Sequence, residues 1–116
     1  MLDTLQQQKS LPHSDESERA VLAGAILDPA LLPTMSGRLV PDDFYSDRHR
    51  VLFQTMLDLQ EAEVEIDIRT LQASLEQQDR LTAIGGVAYL ASLDLDLPDL
   101  SRMDSYVEIV KERSIR

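Results

Sequence analysis

The chain contains no cysteine and no tryptophan. Without thiols it has no means of building a disulfide scaffold, a cysteine-ligated zinc site or a thiol nucleophile, and the lack fits a reducing cytoplasm. Aromatic residues are scarce, with three tyrosines and two phenylalanines in 116 residues. No apolar run approaches the roughly 18 residues of a membrane span. The first ten residues are polar and glutamine-rich and lack the apolar stretch of a secretory signal, so residues 1–12 read as a flexible leader. Basic residues are outnumbered, 11 Lys and Arg against 21 Asp and Glu, for a formal charge of −10. Proteins hold duplex DNA largely by neutralising phosphates, and a chain this acidic is not expected to bind DNA directly. Arg48, His49 and Arg50 are adjacent, but in the first turn of a helix they point in different directions and make no basic stripe.

Catalytic signatures are missing as well. There is no G-x-x-x-x-G-K-[ST] run to cradle a nucleotide phosphate. His13 and His49 fall on different elements, without metal-ligand spacing. The acidic pairs Asp15–Glu16 and Asp42–Asp43 sit at helix starts, where carboxylates suit the positive end of the helix dipole. A hidden carboxylate site at Asp42 and Asp43 is the one enzymatic alternative. No catalytic, cofactor-binding or metal-ligating residue is therefore assigned.

What remains is a succession of helix signals in one domain's worth of chain. Ser14 is an expected N-cap, followed by Asp15 and Glu16 and then by a small-and-apolar run from Ala20 to Leu27. Within that run, Ala23, Gly24 and Ala25 allow close backbone approach, so another helix is expected to cross there. Asp28-Pro29 is a restart, with Asp28 as N-cap and Pro29 in the first turn, where its missing N–H costs nothing. The stretch Asp42–Phe53 carries three of the five aromatics, Phe44, Tyr45 and Phe53, and is expected to centre the core. Ser46 is its expected cap, and the helix it opens should run to about Glu63. Asp67 reads as the cap of an amphipathic helix carrying Ile68, Leu71 and Leu75 and ending near Gln78. Gly85-Gly86 marks a turn with positive φ, and a helix over Val87–Leu95 is broken by Leu97-Pro98-Asp99-Leu100. A last helix starts near Ser101, with Asp104 three residues on, and presents Met103, Tyr106, Val107, Ile109 and Val110. It carries no C-terminal stop signal, so the sequence is expected to continue past Arg116. The count is about six helices and no strand: an all-α fold. Composition and pattern alone support an acidic helical interaction module, a free-standing adaptor being one form of it.

The ordered set of motifs goes further. Leu11-Pro12-His13-Ser14 with Glu16 and Glu18, Val21-Leu22-Ala23-Gly24, Asp42-Asp43-Phe44-Tyr45, and His49-Arg50 with Leu52-Phe53 come first. Ile66-Asp67 with Thr70-Leu71, Gly85-Gly86-Val87-Ala88-Tyr89-Leu90, and Tyr106 to Arg113 follow. Together they resemble the N-terminal domain of bacterial DnaB-type replicative helicases over residues 11–116. The resemblance implies a compact helical head of about five to six helices over 13–100. Residues 101–116 would begin the first helix of a helical hairpin, truncated here. It implies a parent that is an ATP-dependent DNA helicase, a ring-shaped hexamer built as a trimer of dimers. The parent's C-terminal RecA-like ATPase domain, with its ATP and Mg, is absent from this chain. The collar made by such domains docks primase, and a helicase loader is a further candidate partner. The fragment itself is expected to be non-catalytic and to need no cofactor, to be a monomer or weak dimer, and to be cytoplasmic. Tyr89 is a candidate interface residue, the alternative being a core tyrosine with its hydroxyl at the surface. Tyr106, Ile109 and Val110 are candidates on the last helix, where truncation of the hairpin would leave them exposed.

Overall fold

The computed structural model describes the backbone of residues 2–114 and the side chains of residues 15–114. Among the described residues six α-helices follow one another: α1 (Leu2–Leu27), α2 (Leu32–Ser36), α3 (Asp47–Glu61), α4 (Ile68–Gln77), α5 (Gly86–Leu95) and α6 (Met103–Ser114). Short 3₁₀ turns lead into several of them, and no strand occurs among the described residues. The all-α expectation holds. Ser14 lies within α1 rather than at its start, and the leader expected over 1–12 falls among residues whose side chains are not described.

Local chemistry accounts for most of the boundaries. The Asp28 carboxylate accepts from the Ala30 N–H at 3.2 Å and opens a Pro29–Leu31 turn that continues into α2. At α4, Asp67 accepts from the Thr70 N–H (2.9 Å) while the Thr70 hydroxyl accepts from the Asp67 N–H (3.0 Å), a reciprocal capping box. Gly85 and Gly86 both adopt positive φ, +104° and +73°. Helices α3 and α4 end on non-glycine residues in the left-handed region, Glu63 (φ 59°) and Asp79 (φ 60°). In both cases the next residue's N–H reaches back to a carbonyl of the last turn: Val64 to Leu59 at 2.9 Å, and Arg80 to Leu75 at 2.8 Å. That bonding satisfies carbonyls the helix leaves open.

Two expected caps differ. Ser46 occupies the N-cap position of α3, but its hydroxyl makes no capping bond. At the last helix the cap is Asp99, which accepts from both the N–H and the hydroxyl of Ser101 (3.0 and 2.6 Å). Ser101 thus donates to the cap instead of forming it, and α6 proper begins two residues later.

Helix α1 is the axis of the packing. Val21, Leu22 and Ala25 are buried, and among the described residues α1 makes its most extensive contact with α6. A Cβ at Gly24 would stand 2.3 Å from Met103 Cε, so the small-residue run does admit a second helix, as the sequence predicts. The Phe44 and Phe53 rings, both buried, lie 4.9 Å apart centre to centre, and Leu52, Met56, Leu71, Leu75 and Leu90 join them in one core. Tyr45 does not. It is 66% exposed, because the extended backbone at Phe44 turns the next side chain outward.

Candidate functional site

A buried polar network lies beneath the motifs that carry the resemblance. Glu18, on α1, is 1% exposed, and His49, on α3, is completely buried. Glu18 Oε2 accepts from the Tyr45 N–H at 2.6 Å; Oε1 accepts more weakly from the Ser46 N–H at 3.4 Å and meets His49 Nδ1 at 2.7 Å. On the other side of the ring, His49 Nε2 lies 2.5 Å from the Tyr89 hydroxyl. A neutral imidazole satisfies both contacts with its proton on Nδ1, donating to Glu18, and with Nε2 accepting from Tyr89. The backbone entering α3 is thereby held by a carboxylate from α1, which explains why Ser46 is not needed as a cap. The carboxylate also sits at the positive end of the α3 dipole.

Tyr89 closes this network. Its ring carries the Arg48 guanidinium at 4.2 Å and that of Arg19 at 5.2 Å from its centre. Burial pushes its hydroxyl pKa up from the ordinary phenol value, with the two guanidinium groups working against that rise. The hydroxyl points inward to His49 and not to the surface, so the residue bonds α5 to α3. The three consecutive residues of the basic cluster do diverge: Arg48 covers Tyr89, His49 is buried, and Arg50 pairs with Asp47.

The acidic pair at 42–43 is also divided. Asp43 is buried and its Oδ2 accepts from the Val40 N–H at 2.8 Å, while Lys111 Nζ on α6 approaches at 3.3 Å. Burial works to raise the Asp43 pKa, but the bonds from Val40, Ser114 and Lys111 outweigh it and hold the carboxyl below its usual range. Asp42 is exposed. One carboxylate of the pair is therefore committed to a turn and an ion pair. No group of three or more His, Cys, Asp or Glu able to hold a metal occurs among the described residues. No helix there is long and apolar enough to cross a membrane.

Of the α6 candidates, Val110 is buried. The expectation that it would be left exposed is corrected: Met103, Val107 and Val110 recur at i, i+4 and i+7 and form the stripe that packs on the head. Tyr106 and Ile109 flank that stripe and are brought together on the wall of an open groove of about 760 Å³. Glu16 and Arg19 of α1 and Asp96 and Leu97 of the α5–α6 connection also line it. Tyr89 is not in this groove. The sequence reading missed Glu18 as a cap, whose partners lie 27 to 31 residues away. It also missed the α5–α6 connection as part of the groove.

The architecture is that of an all-helical domain tied internally by a buried polar network and open along one face. Comparison with known proteins gives it a family. The model of the DnaB-like helicase N terminal domain matches residues 10–112, and the chain belongs to that family. It is 40% identical over 104 residues to the replicative DNA helicase DnaB of Pasteurella multocida, covering 90% of this chain and 22% of that protein. The corresponding figures for the Geobacillus stearothermophilus replicative DNA helicase DnaB are 38% over 104 residues, 90% and 23%. The chain thus spans about a fifth of the length of these relatives. In three dimensions it is similar to the N-terminal domain of Mycobacterium tuberculosis DnaB helicase, with a TM-score of 0.80 at 31% identity over 85% of this chain and 71% of that one. It is also similar to the N-terminal domain of Helicobacter pylori DnaB helicase, a structure described together with that domain's interactions with primase. There the TM-score is 0.64 at 27% identity over 99% and 85% of the two chains. These likenesses set the chain among the N-terminal domains of replicative helicases and apart from the free-standing adaptor.

Proposed function

We propose that this domain is a non-catalytic collar module that docks primase and contributes to hexamer assembly in a replicative helicase. The observation that carries the reading is the family match, joined to a structural relative whose interactions with primase are described. The architecture is consistent with it. The helical head offers a groove lined in part by the half-exposed Tyr106 and Ile109, an arrangement in which aromatic and aliphatic side chains serve as contacts. Residues 13–100 form the head in this reading, and 101–116 begin the element that would join it to the rest of a ring. ATP and Mg would serve a motor elsewhere in the parent, and a loader would be a second partner. The setting is the cytoplasm, where bacterial DNA is copied.

As an isolated chain the domain is a monomer or a weak dimer, because Val110 is already buried in the head and only Tyr106 and Ile109 of the α6 candidates remain open to contact. Direct DNA binding is not part of its work, because a formal charge of −10 repels phosphates. Titration of the chain with primase from the same organism tests the reading. Saturable binding at micromolar concentration is the expected result; no binding, with the chain shown to be folded, overturns it.

A further inference from the structure

Leu93-Asp94-Leu95-Asp96-Leu97-Pro98-Asp99-Leu100, which ends α5 and leads to α6, alternates apolar and acidic residues, and the fold turns that alternation inside out. Leu93 is buried, whereas Leu95 and Leu97 are 80% and 76% exposed, the two most exposed large apolar side chains among the described residues. Asp96, between them, turns inward to Arg19 of α1 at 3.6 Å. Beyond them Pro98 restricts the backbone, and Asp99 is fixed by its two bonds from Ser101 and by Arg102 at 3.7 Å. The bonds from Ser101 hold the Asp99 carboxyl below its usual pKa. The leucines are therefore presented on a segment anchored at both sides.

Leucines this exposed contribute little to the stability of the monomer, and apolar surface gathered in this way marks an interaction site. Anchoring the segment in advance lowers the ordering cost that binding would otherwise incur. The surrounding charge defines what can receive it. Asp94 and Asp99 flank the leucines, and Glu16 lies on the same groove. A second copy meeting this patch with its own would set the same carboxylates against one another, which electrostatic complementarity disfavours.

We propose that Leu95 and Leu97 form an anchor pair that enters an apolar cleft with a cationic rim on primase. The proposal rests on the primase-docking reading above and assigns its contact to the α5–α6 connection. The test is calorimetric titration of the 116-residue chain with full-length primase from the same organism, for wild type and for the double variant Leu95→Ser/Leu97→Ser. Both side chains are outside the core, so the variant is expected to fold, with a melting temperature within about 2 °C of wild type. Its affinity should fall at least about tenfold, since two leucines lose their burial in the complex. Asp94→Lys should weaken binding severalfold at low salt and less at high salt.

Unchanged affinity of the double variant, beside normal wild-type binding, overturns the loop assignment and leaves primase docking intact. Failure of folded wild type to bind overturns both. Self-association in sedimentation velocity that is lost in the double variant would make the occupant a second copy, and the proposal would fall.

Discussion

Replacing Glu18 should show how much of the head depends on one carboxylate. As an anion it only accepts hydrogen bonds, and its oxygens face three donors: the N–H groups of Tyr45 and Ser46 and His49 Nδ1. Glu18→Ala strands these donors in a site where Glu18 is 1% exposed and His49 is fully buried. A buried polar group left without a partner costs about 1–3 kcal/mol. The Ser46 bond is long at 3.4 Å, so its loss counts least, and partial relaxation tempers the rest. The expected cost is about 3–4 kcal/mol, a large share of the roughly 5–15 kcal/mol that holds a domain together. Glu18→Gln should cost less, about 1–2 kcal/mol. Its amide NH₂ can donate to Nδ1 if His49 moves its proton to Nε2 and donates to Tyr89 instead. That switch predicts coupling: once Gln is present, Tyr89→Phe removes an acceptor rather than a donor, and its effect changes from that in wild type. The assay is urea denaturation followed by circular dichroism at pH 7, the chain having no tryptophan. A Glu18→Ala loss below about 1 kcal/mol with an unchanged denaturant slope would refute the claim that the network stabilises the fold. Additive effects of Glu18→Gln and Tyr89→Phe would refute the tautomer argument.

Three further outcomes follow from the geometry. Because the folded-state pKa of Asp43 is depressed, its contribution is present above the unfolded carboxylate value and is lost as pH falls through the folded value. Asp43→Asn should therefore cost about 1–2 kcal/mol at pH 7 and progressively less below about pH 4, as read from denaturation at a series of pH values. Glu63→Gly and Asp79→Gly place a residue without Cβ at positive φ, and each should raise stability by about 0.5–1 kcal/mol, measurable as a higher urea midpoint. At the α1–α6 crossing, Gly24→Ala clashes with the movable end of Met103, reaches Leu100 at an ordinary 3.7 Å and gains helix propensity, so it should lie within about 1 kcal/mol of wild type. Gly24→Leu has no comparable escape and should lose about 3 kcal/mol, so equal melting temperatures for the two would contradict the packing described.

The sequence was most informative where a few neighbouring residues decide the outcome. Asp28-Pro29 and Asp67 act through a bond made within three residues, and the glycine pair at 85–86 through its own backbone freedom, and the fold uses each as read. Ser46 looked equally local but yielded to a partner on α1, 28 residues away, and pattern reading has no access to such a competitor. The same limit explains Tyr45: an aromatic beside Phe44 reads as core until the extended backbone assigns alternate sides. Tyr106 and Ile109 were legible as the apolar flank of α6, and the structure gathers them on one groove wall. Val110 shares their periodicity, but the head covers it. The leucines at 95 and 97 read as the end of a helix and its breaker. Only the inward pull of Arg19 on Asp96 shows that they are presented together.

Packing the first helix against the last has a consequence for how the domain is made. The cover for Val21, Leu22 and Gly24 includes Met103 and its neighbours on α6, so a nascent chain that has emerged only as far as α5 carries an incomplete core. Contacts between such distant segments come with a loop-closure cost that local helix formation does not meet. Synthesis proceeds at about 5–20 residues per second, leaving an interval of seconds in which the α1 face is open to chaperones or to a neighbouring nascent chain. The head should acquire protease resistance in one step as α6 clears the ribosome, rather than helix by helix.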